Sequence, residues 1–228
     1  MAKFTYGPIV SDARNKLAGV VFSRSRSGPY GRSKVSPTQP RSSYQANVRA
    51  NFTTLTKLWG DTSMNAYRAG WISLAERYPV KDVFGNTRTL TGLQMFLKCN
   101  RALQALETGI ILPAPASLVC SSPGNITVTP VAGAQTIAIT VTYNPSPFES
   151  PVIWAAAPSG AGVSRVGAHL RQIKFLANGA AGPYAAGTSY VAKYGAWAVG
   201  KRIFVAVRYT ENYTGAQGGI SSADAIST

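Results

Sequence analysis

Acidic residues, histidine and cysteine are all scarce in this sequence. Its 228 residues include eight Asp and Glu, one histidine (His169) and two cysteines (Cys99 and Cys120). Nucleophilic catalysis of the Ser-His-Asp or Cys-His kind needs a placed imidazole, and acid–base catalysis by carboxylates needs two acids close together. Metal sites need clustered His, Cys, Asp or Glu. Because these residues are few and scattered, we expect a protein that is not an enzyme and has no metal or cofactor.

Long hydrophobic runs are also missing. No segment approaches the roughly 18 apolar residues that span a bilayer, and residues 1–16 lack the apolar core of a secretory signal. Two cysteines are too few for a disulfide scaffold, so we expect two reduced thiols. These features predict a chain that is made in the cytoplasm and has no membrane partner.

The charge that is present is positive and lies mostly in the first half. Residues 1–110 hold sixteen basic and five acidic residues, whereas residues 111–228 hold seven and three. Charged residues make up only 14% of the chain, compared with roughly 25% in ordinary soluble domains. A basic surface attracts phosphate backbones, anionic membranes or acidic proteins by the same Coulomb attraction. Charge alone therefore indicates an anionic partner without naming its class.

Residues 1–41 are predicted to form a basic β-hairpin arm. Residues 19–27 and 30–36 alternate imperfectly on either side of Gly28-Pro29. A two-residue turn places Arg24 and Arg26 on one face with Gly31 and Ser33. A three-residue turn gathers five side chains on one face instead: Arg24, Arg26, Tyr30, Arg32 and Lys34. A slip of one residue exchanges these outcomes, and both remain open.

The arm is expected to need a partner, because a lone hairpin is at best marginally stable in water. Candidate residues for anchoring the arm to that partner are its cations and one tyrosine. They are Arg24, Arg26, Tyr30, Arg32, Lys34 and Arg41.

A helical region is predicted over residues 42–110. An apolar stripe predicts the first helix over 42–60, with Ser42 or Ser43 as its N-cap. A second helix, capped by Thr62 or Ser63, is followed by a small β excursion around Gly85-Asn86. A third helix begins at Thr91, where Thr91 and Gln94 have the spacing of a capping box. The stripe consists of Tyr44, Val48, Phe52, Leu55 and Trp59.

After a Pro-rich linker at 111–117, the apolar period changes from 3.6 to 2, which indicates strands. Short strands are predicted at 137–143, 152–157, 172–176, 190–194 and 203–209. About seven strands in residues 118–228 are typical of an immunoglobulin-like or fibronectin-like sandwich, and Trp154 falls on the third of them. The predicted fold class is therefore α+β: a basic hairpin arm, three helices and a C-terminal immunoglobulin-like antiparallel β-sandwich.

Several segments together carry a family resemblance. They are "GVVFSRSRSGPYGRSKV", "SPTQPRSSYQANVRANFTTLTKLW", "MNAYRAGW", "FGNTRTLTGLQMFLKCNRAL" and "YGAWAVGKRIFVAVRY". This pattern resembles structural proteins that tailed bacteriophages and prophages encode.

The resemblance implies a non-enzymatic virion protein: a decoration, capsid-associated or tail-associated subunit. It would be made in the host cytoplasm and be located in the virion. Its partners would be other virion proteins, in a homo-oligomer or lattice that the arm and helices anchor while the immunoglobulin-like domain is displayed.

Two other functions remain open from the residues alone. The basic N-terminal half is compatible with a nucleic-acid-binding protein that contacts the phosphate backbone, including non-specific contact with DNA. Aromatic residues of the sandwich are compatible with an adhesin-like domain that binds cell-surface carbohydrate, although few of them cluster in the predicted loops.

Overall fold

The chain folds into two compact units, Met1–Met95 and Phe96–Thr228. A computed structural model describes residues 2–8, 12–34, 42–82, 84–164 and 169–228. Helices and antiparallel sheets occur together, so the predicted α+β class is confirmed at that level. Among the described residues, none of the helices has both the length and the apolar character to cross a membrane.

The first unit begins with a four-stranded antiparallel sheet. Its strands are β1 (Ala2–Lys3), β2 (Asn15–Leu17), β3 (Val20–Ser25) and β4 (Gly28–Ser33), in the order β1-β4-β3-β2. The predicted hairpin is β3–β4, and the two flanking strands extend it into a sheet.

The turn of this hairpin lies at Arg26-Ser27, so the expected turn at Gly28-Pro29 is wrong. Ser25 pairs with Gly28 across the ladder. The Ser25 hydroxyl accepts from Ser27 N at 3.2 Å and lies 3.3 Å from the Gly28 carbonyl oxygen, to which it donates. Gly28 has φ of 100°, which only glycine adopts without strain. The serine side chain and this glycine therefore close the turn two residues earlier than the Gly-Pro pair suggested.

Helix α1 spans Ser43–Gly60, as predicted, and Ser42 caps it by accepting from Gln45 N at 3.3 Å. Its stripe is only partly covered, since Leu55 is fully buried but Phe52 is 45% exposed. The predicted cap of the second helix is wrong. Asp61, not Thr62 or Ser63, caps a short 3₁₀ helix (Thr62–Met64), and α2 (Asn65–Arg77) follows without a side-chain cap.

A small hairpin and the capping box appear as predicted. Strands β5 (Val80–Lys81) and β6 (Thr87–Arg88) pair on either side of Gly85, and the Asp82 carboxylate accepts from Phe84 N and Asn86 N. Helix α3 spans Gly92–Gln104. Thr91 N donates to Gln94 Oε1 at 3.0 Å, and Gln94 N donates to Thr91 Oγ1 at 3.1 Å.

The second unit contains two antiparallel sheets that share one apolar core. One sheet has the order β11-β8-β7 and the other β10-β9-β12-β13. Their inward side chains meet in a core that includes Ile139, Ile153 and Val205. The elements are β7 (Ile126–Val131), β8 (Thr136–Val141), β9 (Glu149–Ala155), β10 (Arg171–Phe175), β11 (Tyr184–Ala185), α4 (Gly187–Tyr194), β12 (Arg202–Glu211) and β13 (Gln217–Ile226).

The strand predicted at 190–194 is wrong, because these residues belong to helix α4. The helix brings two tyrosines to the end of β9, where Tyr190 Oη donates to Ala156 O and Tyr194 Oη donates to Ala155 O. Trp154 does lie on the third strand of this unit, but it is half-buried. Trp197 is the tryptophan of the core, and its Nε1 donates to Ser227 Oγ at 3.0 Å.

The second half of α3 lies beside the larger sheet. Gln172 Nε2 donates to Ala105 O at 3.0 Å, and a Cβ on Gly215 would collide with the carbonyl of Cys99. The outward side chains of this sheet, such as Val152 and Phe204, are accordingly buried. Glycine is required at position 215 by both this close approach and its φ of 68°.

Candidate binding surface on the N-terminal sheet

The N-terminal sheet has one apolar face. Directly opposed residues of antiparallel strands share a face, so Leu17 lies beside Val20, and Phe22 lies beside Gly31. The rings of Phe4 and Phe22 pack edge to face, with centroids 5.8 Å apart. Little covers the outer part of this face, since Leu17 is 70% exposed and Val20 is 40% exposed.

The opposite face is basic. Lys16 and Arg32 both oppose Val21, one from each neighbouring strand. In the next row Tyr30 opposes Ser23 on one side and Lys3 on the other. An open hollow on the sheet is lined mostly by residues of this face; Arg14 also borders it, as do Asn15, Phe22 and Arg24 of the neighbouring rows.

The structure distributes the described anchoring residues over four places. Arg32 and Tyr30 lie on the basic face, and Lys34 follows β4, where its backbone N–H donates to Gly19 O at 2.7 Å. Arg24 opposes Pro29, which places its Cβ on the apolar face, although the residue also lines the hollow. Arg26 is in the turn. Arg41 lies outside the described residues.

Arg26 is separated from the other cations of the arm. It lines a second hollow of the first unit together with Trp59 and Glu76. The adjacent turn residue Ser27 accepts a hydrogen bond of 2.5 Å from Arg88 Nη1 of strand β6. The tip of the hairpin therefore contacts the rest of its own unit. The register in which all five side chains share one face is not the one that forms.

Sequence reasoning missed Lys16 and Lys3 as members of the basic face. Strand β2 has only three residues, which are too few for an alternating pattern to be detected. Its first residue, Asn15, and the residue that follows it, Ala18, have positive φ values of 75° and 50°. Strand β1 has two residues. Strand alternation places Lys16 on the same face as Arg32 only when the register between β2 and β3 is known.

The positive charge of this surface is neutralised locally only in part, since Lys3 interacts electrostatically with the carboxylate of Asp82. All eight acidic residues belong to the described part of the chain, and no carboxylate lies within 4 Å of Lys16, Arg24 or Arg32. Arg14 does pair with Asp12, at 2.9 Å, but both side chains are solvent-exposed, where such a pair contributes little. The sheet therefore presents a net positive field to solvent.

In the second unit, the carboxylate of Glu149 is held by hydrogen bonds within the fold. The buried Glu149 carboxylate accepts from Ser121 N, Ser121 Oγ and Ser146 N. Burial opposes ionisation, but the hydrogen bonds from Ser121 and Ser146 outweigh it and hold the pKa of Glu149 below its usual value. In the described residues, no three His, Cys, Asp or Glu side chains are grouped where they would hold a metal ion.

The two cysteines are free thiols. Burial raises the pKa of Cys99 to about 11. Burial and the neighbouring Glu149 carboxylate raise the pKa of Cys120 to about 12. Both therefore stay protonated near neutral pH, and a protonated thiol is a poor nucleophile.

A pair of exposed aromatic residues lies in the second unit. The rings of Phe148 and Tyr213 meet edge to face with centroids 5.9 Å apart, and the two residues are 57% and 64% exposed. The Asn212 backbone N–H donates to the Phe148 carbonyl, which joins the two loops that carry them. This is the aromatic clustering on which a carbohydrate-binding function would depend.

Comparison of the chain with models of known protein families, with curated proteins and with solved structures found no significant match.

Proposed function

We propose that this chain is a non-enzymatic structural subunit of a bacteriophage virion, in a decoration, capsid-associated or tail-associated position. Its N-terminal sheet and helices would anchor it to neighbouring subunits, and an immunoglobulin-like domain would be displayed. The observation that carries this proposal is the exposed apolar face of the N-terminal sheet, with Leu17 and Val20 in its outer part. The pattern of aromatic, Gly and Arg positions along the chain supports the phage assignment.

The exposed face supports assembly because apolar area gains free energy when it leaves water. Leu17, Val20 and Phe22 line one side of the sheet without a charged residue between them. A neighbouring subunit that covers this face would complete a two-layer structure, which is the arrangement that makes a sheet stable. Head-to-tail use of the contact would build a ring or lattice.

The immunoglobulin-like layout of the second unit belongs to the same proposal. It is supported by two antiparallel sheets with orders β11-β8-β7 and β10-β9-β12-β13, and by the apolar core that they share. The tyrosines and the tryptophan of this core have hydrogen-bond partners, so this unit has the character of a self-sufficient displayed domain.

Sedimentation and negative-stain electron microscopy of the full chain test the assembly role. We expect regular oligomers, and we expect the double variant Leu17→Asp/Val20→Asp to remain a monomer, because two buried carboxylates in an apolar contact are unfavourable. The matched control is Val119→Asp/Val199→Asp, since both valines are more than 70% exposed in the second unit. Oligomers that persist in the first variant, or a monomeric wild-type chain, would contradict assembly through this face.

Mass spectrometry of purified particles tests the virion assignment itself. Particles induced from a lysogen that carries the gene should contain peptides of this chain in stoichiometric amount. Their absence from intact particles, with the chain present in the lysate, would remove the virion role while leaving self-assembly untouched.

A further inference from the structure

We propose that the basic face of the N-terminal sheet binds single-stranded nucleic acid, with Lys16 and Arg32 on phosphates and Tyr30 stacked on a base. This interaction goes beyond the assembly role. It uses the opposite face of the sheet from Leu17 and Val20 and does not depend on where the chain is located.

The spacing of these side chains follows from the strand register. Lys16 and Arg32 flank Val21 on adjacent strands, so their backbones are about 10 Å apart, which is twice the distance between neighbouring strands. Tyr30 is two residues from Arg32 on β4, about 7 Å along the strand on the same face. The tyrosine is half-buried and has a cation on either side, Arg32 along its strand and Lys3 on β1. The ring of Tyr30, on which a base would stack, therefore has positive charges beside it.

The charge of the surface favours an anionic partner. No carboxylate of the chain lies within 4 Å of Lys16 or Arg32, and the formal net charge of the whole chain is +15. A second copy brought face to face with this surface would therefore be repelled. A nucleic-acid strand instead brings one negative charge per phosphate, and the counterions that it releases drive binding.

The aromatic side chain and the shape of the surface favour a single strand. Bases stack on aromatic rings only when they are unpaired, and a basic groove with an aromatic platform is how proteins bind single strands without sequence preference. Reading a duplex instead uses a helix or a two-stranded ribbon that enters a groove, whereas the β3–β4 hairpin is flanked by β1 and β2 and is part of a wider sheet. The hollow in the described part of this sheet is open to solvent and brings the basic side chains of Lys16 and Arg32 together with the ring of Tyr30.

Fluorescence anisotropy with the nuclease-treated full chain and a labelled thymidine oligonucleotide of about twenty bases tests the proposal. Binding should weaken steeply between about 50 mM and about 200 mM salt. The variant Lys16→Ser/Arg32→Ser should bind at least about tenfold more weakly, and its log–log salt slope should be shallower by about 1.4, which is two single-strand phosphate contacts. Tyr30→Leu should weaken binding by about tenfold and leave the slope unchanged.

The matched control is Arg49→Ser/Lys57→Ser, which removes the same charge from exposed positions of α1. We expect it to bind within about twofold of wild type, and circular dichroism should show that all variants are folded. Equal loss in this control, or no binding at about 50 mM salt, would overturn the proposal. So would tighter binding of a duplex of equal length. Equal competition by polyglutamate would overturn it in favour of an acidic protein partner.

Discussion

The N-terminal sheet and the two C-terminal sheets are built from the same kind of strands, but they differ in what covers them. In the described part of the N-terminal sheet only Gly31 is buried, while Leu17 is 70% exposed. In β9 and β12 nearly every residue is buried or half-buried. The C-terminal unit completes its own layers, whereas in the N-terminal sheet all of β2 and half of β3 are exposed. The first unit is therefore the part of the molecule in which we place the interactions with partners.

The largest difference between the two regions should appear when apolar side chains are truncated. Ile203→Ala removes a fully buried side chain from the shared core and should lower the free energy of unfolding of the second unit by about 2–5 kcal/mol. Leu17→Ala should cost less than about 0.5 kcal/mol, because the side chain is exposed in the isolated chain. Urea denaturation with hydrogen exchange in β12 and β3 measures both. A large loss for Leu17→Ala in a monomeric chain would show that this face is already covered.

Glu149 should make the stability of the second unit depend on acid pH. Its folded pKa is lowered, so its contribution is complete above the unfolded pKa, about 4.3, and is lost as pH falls through the folded value. Glu149→Gln should cost about 1.5–3 kcal/mol near neutral pH, because three donors lose a charged acceptor. Denaturation at several pH values should show a smaller acid dependence in the variant. Parallel curves for the two proteins would contradict the assignment.

A smaller effect is expected at the capping box of the first unit. Thr91→Ala removes the acceptor for Gln94 N and should destabilise the start of α3 by about 1 kcal/mol. Thr91→Ser keeps a hydroxyl and serves as the matched control. Hydrogen exchange of the first turn of α3 is the measurement. Equal exchange in both variants would show that the hydroxyl contributes nothing.

The smallest expected signal is alkylation of the two cysteines at neutral pH. Both thiols should react slowly in the folded chain, since burial raises their pKa values to about 11 and about 12. Glu149→Gln should accelerate labelling of Cys120 but not of Cys99, because only Cys120 has that carboxylate beside it. Mass spectrometry of labelled peptides distinguishes the two sites. Acceleration at both sites would indicate general loosening rather than loss of the local charge.

Patterns that depend on neighbours in sequence were predicted best. The stripe in residues 42–60, the capping box at Thr91 and Gln94, and the small hairpin around Gly85 all form as expected. Each involves contacts between residues at most eight apart in the chain, which local geometry largely determines. Among the site residues, the pairing of Tyr30 and Arg32 on one face follows from strand alternation alone.

Predictions that depended on distant partners failed or stayed open. The segment 190–194 was predicted as a strand but forms a helix, in which Tyr190 and Tyr194, one turn apart, donate to the carbonyls of Ala156 and Ala155. The turn is an exception, because local contacts decided it: Ser25 and Gly28 close it at Arg26-Ser27. Strand β2 is too short to recognise without its partner β3.

The sequence by itself determined that the chain is basic at its N-terminal end, helical in the middle and β-rich at its C-terminal end. Composition and the apolar period act over short distances, so they need no knowledge of the fold. Only the tertiary structure decided that Lys16 joins Arg32 and Tyr30 on one face, while the Cβ of Arg24 lies on the other face and Arg26 lies in the turn. The reason is physical: successive strand residues alternate between faces, so one residue of register moves every side chain to the other side.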